Sequence, residues 1–523
     1  MVQGHGAPRF SGPGAPVSKG GRRGASPPRP PAPAPPPPLL PPLAEVLDPR
    51  GPFLVPLLLL LVTRLALWAL VPNASEDAYI TFRYARNFAA GHGLVYNPGE
   101  HVFGFSSPLW TLWSALGIRL TGEPVAWVRA TSLAGDLVTL LMMGALLARH
   151  ASAAAAWCFT YFFAAWPYFA AVAVSGMENG GMLSLIVLGA VLAGRRSPLA
   201  GPALAALALL RPEGLAAAVV LALGAGWRAR VTAAALTVVG LIALAAYFGG
   251  IVPQSVIAKS SLYGTPGPWA GRHWWDWLSP VALGRAPTLL EGVHLFVMSV
   301  VFAPAVVVGA LAVWRARRTP LALAIAACLV VWLGYSVLGV AYFYWYLVVP
   351  LGGLAALAAV GLPRIVRGPA IYVALALFVP GMWSIGYSLY LGRAFNEASD
   401  FGGAARYLAR HARPGETVML EPIGLVGFTA PLRVIDEIGL VTPRVAARRR
   451  AGSGWYADIA LSERPEWLVV RRGVLREGAA FAGAGAPFRS GAERDSLLAH
   501  YRVEDAVGGS AGDQQLLIMR RAR

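Results

Sequence analysis

Residues 73–108 read NASEDAYITFRYARNFAAGHGLVYNPGEHVFGFSSP and follow directly on the first long apolar run of the chain. Two adjacent carboxylates, Glu76 and Asp77, precede a predicted helix over 78–90, and glycine-rich and Asn-Pro-Gly turn signals come after it. Spacing alone favours a capping role for the carboxylates, because acidic side chains stabilise helix N-termini. The stretch is nevertheless dense in charged and aromatic side chains where the chain is otherwise poor in acids, so it is also a candidate site.

The composition indicates a membrane protein. The 523 residues are 56% hydrophobic and only 13% charged, against roughly 25% charged residues in a soluble globular protein. This excludes an ordinary soluble enzyme and a disordered scaffold. The net charge of +18 could indicate nucleic acid, but membrane topology explains it better in so apolar a chain, and we expect no nucleic-acid partner. Both cysteines lie in apolar runs, which excludes a disulfide framework.

Apolar runs of about 20 residues, the length that spans a bilayer, recur between residues 49 and 391. A charged interruption, Arg211-Pro212-Glu213-Gly214, predicts two short crossings joined by a tight bend within 198–226. The runs predict a mainly α, polytopic membrane protein with about eleven transmembrane helices. The other predicted crossings are 53–71, 125–147, 152–174, 177–193, 231–250, 292–313, 321–341, 345–362 and 369–391.

The charges predict the orientation of the chain in the plasma membrane. With a cytoplasmic N-terminus and eleven crossings, the arginine clusters of the spanning region all fall on the cytoplasmic side, as positive-inside sorting requires. Nearly all acidic residues of that region fall on the outer face. The same parity makes 107–117 a re-entrant or surface segment and predicts two large outer loops, 73–124 and 251–291.

The two terminal regions differ from the spanning part. Residues 1–48 are rich in Pro, Gly and Arg and predict a disordered cytoplasmic tail. Residues 392–523 are rich in charges and predict a small extracytoplasmic α/β domain. Its expected strands are 417–420, 432–435, 467–470 and 515–519, with a helix over 401–412.

Three further features could hold chemistry on the outer side. Glu178, in the turn Ser175-Gly-Met-Glu-Asn, is equally consistent with a ligand-binding and a helix-start carboxylate. Arg211 and Glu213 lie between short crossings, where charges are expensive unless they pair or function. Lys259, one of only two lysines, lies in a loop rich in tryptophan. An interfacial aromatic belt explains the tryptophans but not the lysine.

Several of these stretches together resemble one family, the GT-C glycosyltransferases. Within it, the chain is most similar to the mycobacterial-type terminal arabinofuranosyltransferases of cell-wall arabinan synthesis. It departs from their pattern at Glu76, where they often have Asp, and at Asn179, where they often have Thr. The matching stretches are 76–87, 91–100, 107–110, Ser175-Gly-Met-Glu178, Leu210-Arg-Pro-Glu-Gly214, Pro253-Gln254 with Lys259, Glu421-Pro-Ile-Gly424, and Val434-Ile-Asp436 with Gly439-Leu440.

The resemblance implies a transferase at the outer face of the plasma membrane. Its donor would be a polyprenyl-phosphate sugar, with arabinofuranose as the expected sugar, and its acceptor a cell-envelope glycan. Asp77 is expected to deprotonate the acceptor hydroxyl, with Glu76 assisting or holding a divalent cation together with Asp77. The residues expected to bind the donor phosphate are Lys259, Arg211, Arg83 and Arg86. The residues expected to bind the acceptor or sugar are Glu178, His92 and Tyr79.

Two alternatives stay open at the level of sequence. A GT-C enzyme could use another sugar, such as mannose or an aminosugar, on a protein or a glycolipid. A lipid flippase or transporter would also have many spans and intramembrane charges. Transporters commonly contain internal repeats, however, and the chain has none that we can detect.

Overall fold

The computed structural model describes residues 40–262, 302–338, 343–366, 391–476, 485–508 and 512–522, together with Gly368 and Ala370. Most of the predicted tail and of the loop 251–291, the first part of the crossing at 292–313 and nearly all of the crossing at 369–391 lie outside the described residues. The count of eleven crossings therefore stays a prediction. Residues 43–46, which composition assigned to the tail, form one helical turn.

The membrane-type part of the chain is helical and follows the apolar runs. Four of its described helices are long and apolar enough to span a bilayer alone: α5, α11, α14 and α15, the last counted from Trp345. The helices are α1 Leu43–Val46, α2 Leu54–Leu70, α3 Glu76–Ala89, α4 Pro108–Thr121, α5 Val125–His150, α6 Ala153–Ala165, α7 Pro167–Val174, α8 Asn179–Gly194, α9 Ala200–Leu210, α10 Gly214–Ala222, α11 Trp227–Phe248, α12 Gln254–Leu262, α13 Ala303–Arg315, α14 Pro320–Val337 and α15 Val348–Ile365.

Local sequence signals fix several helix ends. The side chains of Ser152 and Thr319 accept hydrogen bonds from backbone N–H groups in the first turns of α6 and α14, at 3.1 and 3.3 Å. Gly122 and Gly249 end α4 and α11 in the left-handed conformation, with φ of +85° and +78°. Other residues would be strained there, since they carry a Cβ atom.

A buried ion pair joins α2 to α5 inside the bundle. Arg64 Nε lies 2.9 Å from Asp136 Oδ2. Arg64 also donates to the carbonyls of Ala164 and Phe163, at 2.7 and 3.0 Å. Pro167 has no N–H to bond the Phe163 carbonyl, and α6 and α7 meet there at 54°. The arginine thus satisfies carbonyls that the break frees in an environment without water.

The bend predicted at Arg211 is present. Helix α9 ends at Leu210, α10 begins at Gly214, and the two helices pack against each other and against α8. A Cβ atom at Gly214 would lie 2.0 Å from the carbonyl oxygen of Leu207, so the turn requires glycine. The helices have 11 and 9 residues, fewer than the roughly 20 of a full crossing. Their short length places the charges of the bend inside the protein.

The segment predicted as re-entrant or superficial, 107–117, belongs to α4. This helix packs on α3 and exposes a row of large apolar side chains on its other face. Such a face is typical of a helix that lies against lipid. The exposed side chains are Leu112, Trp113, Leu116 and Leu120.

The described part of residues 417–521 contains a five-stranded sheet of order β2-β1-β3-β5-β4. Strands β1, β2 and β3 are parallel, whereas β5 pairs antiparallel with β3 and β4. Four strands match predicted runs. Strand β4 was missed because its charged, exposed pattern is that of an edge strand and not of a buried run. The strands are β1 Thr417–Leu420, β2 Arg433–Asp436, β3 Trp467–Arg471, β4 Tyr501–Val507 and β5 Leu516–Arg521.

Five described α-helices accompany the sheet, and the sheet-containing part packs directly on the first loop. The described residues from 40 onwards belong to one compact unit, in which the helix after β1 packs along α3. The helix predicted over 401–412 begins earlier than expected, at Gly392. The helices are α16 Gly392–His411, α17 Ile423–Thr429, α18 Pro443–Arg450, α19 Trp455–Glu463 and α20 Gly491–Leu498.

Replacing Arg64 by Met should lower the free energy of unfolding by about 3–5 kcal/mol, because it leaves the Asp136 carboxylate buried without its partner. Thermal unfolding of the detergent-purified protein would measure the change. The double variant Arg64→Met with Asp136→Leu should recover much of the loss, since neither charge remains. A single variant as stable as the wild type would contradict a structural role for the pair.

Candidate functional site

Glu76 and Asp77 are neighbours in sequence but face different surroundings. The Asp77 side chain is 27% exposed and lies 3.6 Å (Oδ2) from the Nζ atom of Lys259. The Glu76 side chain is buried and accepts a hydrogen bond from the backbone N–H of Gly424. The backbone N–H of Glu76 in turn donates to Glu397 Oε2 at 3.0 Å. Consecutive helical residues point about 100° apart, which separates the two carboxylates.

Asp77 lines a solvent-open cavity, whose empty space together with the solvent at its mouth is about 420 Å³. Four candidates from sequence meet there: Asp77 from the first loop, Glu178 from the start of α8, Arg211 from the α9–α10 bend and Lys259 from α12. The wall is completed by residues from six stretches of the chain. These are Ile80, Thr81, Gly104, Phe105, Ser106, Ser107, Met177, Ser255, Trp345, Tyr346 and Leu440.

Lys259 brings a positive charge to this cavity. Its ammonium lies 4.5 Å from the ring centroid of Phe343, a cation–π distance, as well as 3.6 Å from Asp77. Burial disfavours the charged form, but Tyr346 and Asp77 more than offset it and raise the pKa of Lys259. The side chain therefore stays an ammonium ion at neutral pH. Partly exposed ion pairs are weak. The ammonium can therefore leave Asp77 and bind an anion that carries more charge.

Arg211 is held between two carboxylates, as the predicted bend allows. Its Nη1 and Nε groups donate to Glu178 and Glu213. The hydroxyl of Tyr335 also donates to Glu213. The guanidinium lies 4.9 Å from the ring centroid of Tyr346, which itself lines the cavity. These contacts fix the guanidinium in one place beside the cavity.

A buried arginine that the sequence analysis did not single out sets the distance between the first loop and the α8 turn. Arg129, on α5, donates to the carbonyls of Val174, Val71 and Asn73 at 2.9, 3.2 and 2.8 Å. Next to these contacts, the backbone N–H of Ser75 donates to the Ser175 carbonyl at 2.7 Å. The chain segments that carry Asp77 and Glu178 are thereby tied together. The sequence signal that could have indicated this role is that Arg129 is a charged residue within an apolar run.

Helix α12 is held by both the first loop and the sheet-containing part. The backbone N–H of Gln254 donates to the Phe103 carbonyl at 2.7 Å, and its side-chain amide donates to the Gly439 carbonyl at 3.0 Å. Asp436 orders the loop around Gly439, since its carboxylate accepts from the N–H groups of Ile438 and Val441 at 2.7 and 3.0 Å. Burial raises the pKa of Asp436 to about 6, although these hydrogen bonds oppose the shift.

The structure places Arg83, Arg86 and Tyr79 away from the cavity, on the α3 face that packs against residues 423–434. Arg83 donates to the carbonyls of Tyr96, Gly427 and Leu432 at 2.9, 2.7 and 2.6 Å. A buried guanidinium with these bonds is occupied by backbone, so Arg83 does not join Lys259 and Arg211. Arg86 donates to the Phe428 carbonyl, and Tyr79 packs at 5.4 Å on the Phe428 ring.

His92 is also separate from the four cavity residues. It follows the C-terminal end of α3, whereas Asp77 lies in the first turn, and its side chain is exposed. Its backbone N–H donates to the Asn87 carbonyl at 2.9 Å, which closes the turn after the helix. His92, which we expected to contact the sugar or acceptor, is not among the residues that line the cavity.

The carboxylates do not form a metal site in the part of the chain that the structure describes. No three His, Cys, Asp or Glu side chains converge there closely enough to hold an ion. Glu76 and Asp77 are the pair expected to bind a divalent cation. Glu76 faces Gly424, however, whereas Asp77 faces the cavity. Among the described residues, no donor set fits the divalent cation, and we derive no step through one.

Known structures of similar shape identify the fold. ArnT from Cupriavidus metallidurans in the apo state has a TM-score of 0.57 to this chain at 14% identity, covering 88% of this chain and 97% of ArnT. The same protein bound to undecaprenyl phosphate has a TM-score of 0.54, with the same identity and coverage. The chain has the GT-C fold. Arabinofuranosyltransferase AftD from Mycobacteria has a TM-score of 0.47 at 13% identity, over 90% of this chain and 40% of AftD.

Sequence comparisons add one family model. A domain of unknown function (DUF8728) matches residues 393–517, which contain all of α16 but its first residue, the strands β1 to β4 and the first two residues of β5. Among curated proteins, none matches this chain. The assignment of the GT-C fold therefore rests on structural similarity. The matched domain covers the part of the chain that follows the membrane-type helices.

In this GT-C fold, Glu76 should make stability depend on pH. Burial, together with nearby Asp77, Glu421 and Glu397, raises the pKa of Glu76 well above its usual value of about 4.3. Between that value and the raised pKa, the folded chain holds a proton that the unfolded chain releases, so stability falls as pH rises. We expect the unfolding temperature to fall as the pH rises above about 5, and to fall less in Glu76→Gln. Equal slopes in the two proteins would contradict this assignment.

Proposed function

We propose that this chain is a membrane glycosyltransferase that moves a sugar from a polyprenyl-phosphate donor to a cell-envelope glycan at the outer face of the plasma membrane. The observation that supports the proposal most is the meeting of Asp77, Glu178, Arg211 and Lys259 at one cavity. These residues come from four separate parts of the sequence. A transferase of this kind needs a base for the acceptor and cations for the leaving phosphate, and both lie there.

Asp77 is the proposed general base. Its carboxylate lies in the cavity, is partly exposed, and is not committed to a buried hydrogen-bond network. It accepts the proton of the acceptor hydroxyl as the oxygen attacks the anomeric carbon, while the bond from that carbon to the phosphate oxygen breaks. Proton transfer to a positioned base typically contributes about 10²–10⁴ in rate. Glu76, buried on the other face of α3, has a structural role in this proposal.

Lys259 and Arg211 are the proposed ligands of the leaving phosphate. Lys259 releases its 3.6 Å contact with Asp77 when the phosphate binds, which leaves the carboxylate available as a base. Arg211 stays fixed by Glu178 and Glu213 and contributes a preorganised charge. Glu178, which lines the cavity, is the remaining candidate to contact the sugar or acceptor. Once the donor is bound, the charge that develops on the phosphate oxygen is thus stabilised without further movement of these side chains.

The donor class and the sugar rest on different grounds. ArnT, whose fold this chain shares, binds undecaprenyl phosphate, and this supports a polyprenyl-phosphate donor. Arabinofuranose is the sugar we propose, on the strength of the sequence resemblance in residues 76–110. We also propose the predicted orientation, with an extracytoplasmic domain over 392–523 that contacts the acceptor glycan.

Transfer of labelled sugar from a polyprenyl-phosphate donor to a glycan acceptor tests the proposal directly. We expect Asp77→Asn to lower kcat by about 10²-fold or more, because the amide cannot take the proton. Lys259→Met should raise the donor KM and also lower kcat, because Lys259 both binds the phosphate and stabilises its developing charge. Glu76→Gln is the matched control: it changes the adjacent carboxylate and should keep most of the activity.

Three results would contradict parts of the proposal. Normal turnover in Asp77→Asn would remove Asp77 as the base. Transfer of mannose or an aminosugar in place of arabinofuranose would reassign the donor. Movement of a lipid between leaflets by the wild type, with no sugar transferred, would make the chain a flippase.

A further inference from the structure

Ser255 is a polar residue in the cavity that the mechanism above does not use. It lies in the first turn of α12, lines the cavity with Lys259, and is 7% exposed. Its Oγ atom is buried and has no hydrogen-bond partner among the described residues. Other buried side-chain atoms lack a partner in that part of the chain, but Ser255 is the one among them whose residue lines this cavity.

A buried hydroxyl without a partner costs about 1–3 kcal/mol, so its presence calls for an explanation. Folding does not require it, because alanine would fill the same place at lower cost. A hydroxyl can donate one hydrogen bond and turns about its bond to reach an acceptor. A ligand that brings an acceptor to this wall would satisfy it.

Ser255 and Lys259 occupy one face of α12. They are four residues apart, which places their side chains one above the other on a helix. The helix itself is fixed at Gln254, which bonds the Phe103 and Gly439 carbonyls. A hydroxyl and an ammonium therefore present two donors in a fixed geometry to the same part of the cavity. Tetrahedral oxyanions with several acceptor oxygens suit such a pair.

We propose that Ser255 donates a hydrogen bond to the phosphate of the polyprenyl-phosphate ligand, beside the ammonium of Lys259. This inference rests on the proposed function, which places the donor phosphate at Lys259. Lys259 supplies charge, and Ser255 supplies direction, since a lone ammonium does not fix the rotation of a phosphate. The contact is made in both the donor and the released prenyl phosphate, so it contributes mainly to binding.

Binding of undecaprenyl phosphate to the full chain in nanodiscs tests the contact. We expect Ser255→Ala to weaken the Kd by about tenfold or more, the effect of losing a hydrogen bond to a charged group. Ser255→Thr, which keeps the hydroxyl, should bind within a few-fold of the wild type. Ser260→Ala is the matched control, since it removes an exposed hydroxyl from the same helix. Undecaprenol, which lacks the phosphate, should bind the wild type and Ser255→Ala alike.

A stability measurement separates this role from a structural one. If the hydroxyl only awaits a ligand, Ser255→Ala should unfold at the same temperature as the wild type or a higher one. A lower unfolding temperature, or an unchanged Kd for undecaprenyl phosphate, would overturn the inference. Failure of the proposed function has a different signature: the wild type would bind prenyl phosphate in a Ser255-dependent way and yet transfer no sugar.

Discussion

The site depends on one constraint: helix α3 must be held on two faces at once. Asp77, Ile80 and Thr81 line the cavity, whereas Glu76, Tyr79 and Arg83 face residues 423–434. Side chains three and four residues apart share a helical face, so both sets follow from the 3.6-residue repeat. Moving the chain by one residue would rotate each side chain by about 100° and exchange the exposed carboxylate for the buried one.

Several buried arginines of this chain donate mainly to backbone carbonyls. Arg83 and Arg129 each donate to three backbone carbonyls, and Arg64 donates to two in addition to its carboxylate. A guanidinium offers five N–H groups in a planar fork, which suits carbonyls that meet where helices end. Gly427 makes room for the guanidinium of Arg83, since a Cβ atom at residue 427 would lie 2.8 Å from Arg83 Nη1. These arginines hold chain segments in register.

Sequence reasoning predicted most of the long apolar helices, four of the five described strands and the four cavity residues, but not the break between α6 and α7. Charges are costly near a membrane, so Asp77, Lys259 and Arg211 stood out against an apolar background. The same reasoning placed Arg83 and Tyr79 in the site, because a helical repeat shows which residues share a face but not what that face meets. The partner of α3 lies more than 300 residues further along the chain, and no local pattern encodes that contact.

The sheet-containing part of the chain helps to form and position the cavity wall. Its Asp436 orders the loop whose Gly439 carbonyl holds Gln254, and Leu440 from the same loop lines the cavity wall. Gln254 also bonds the first loop, so it joins three regions of the chain at the start of α12. Lys259 lies little more than one helical turn further on. A change in how the sheet-containing part packs would therefore move the ammonium of Lys259 relative to Asp77. Among the described residues, no side chain of the sheet lines the cavity, so this coupling acts through the position of α12.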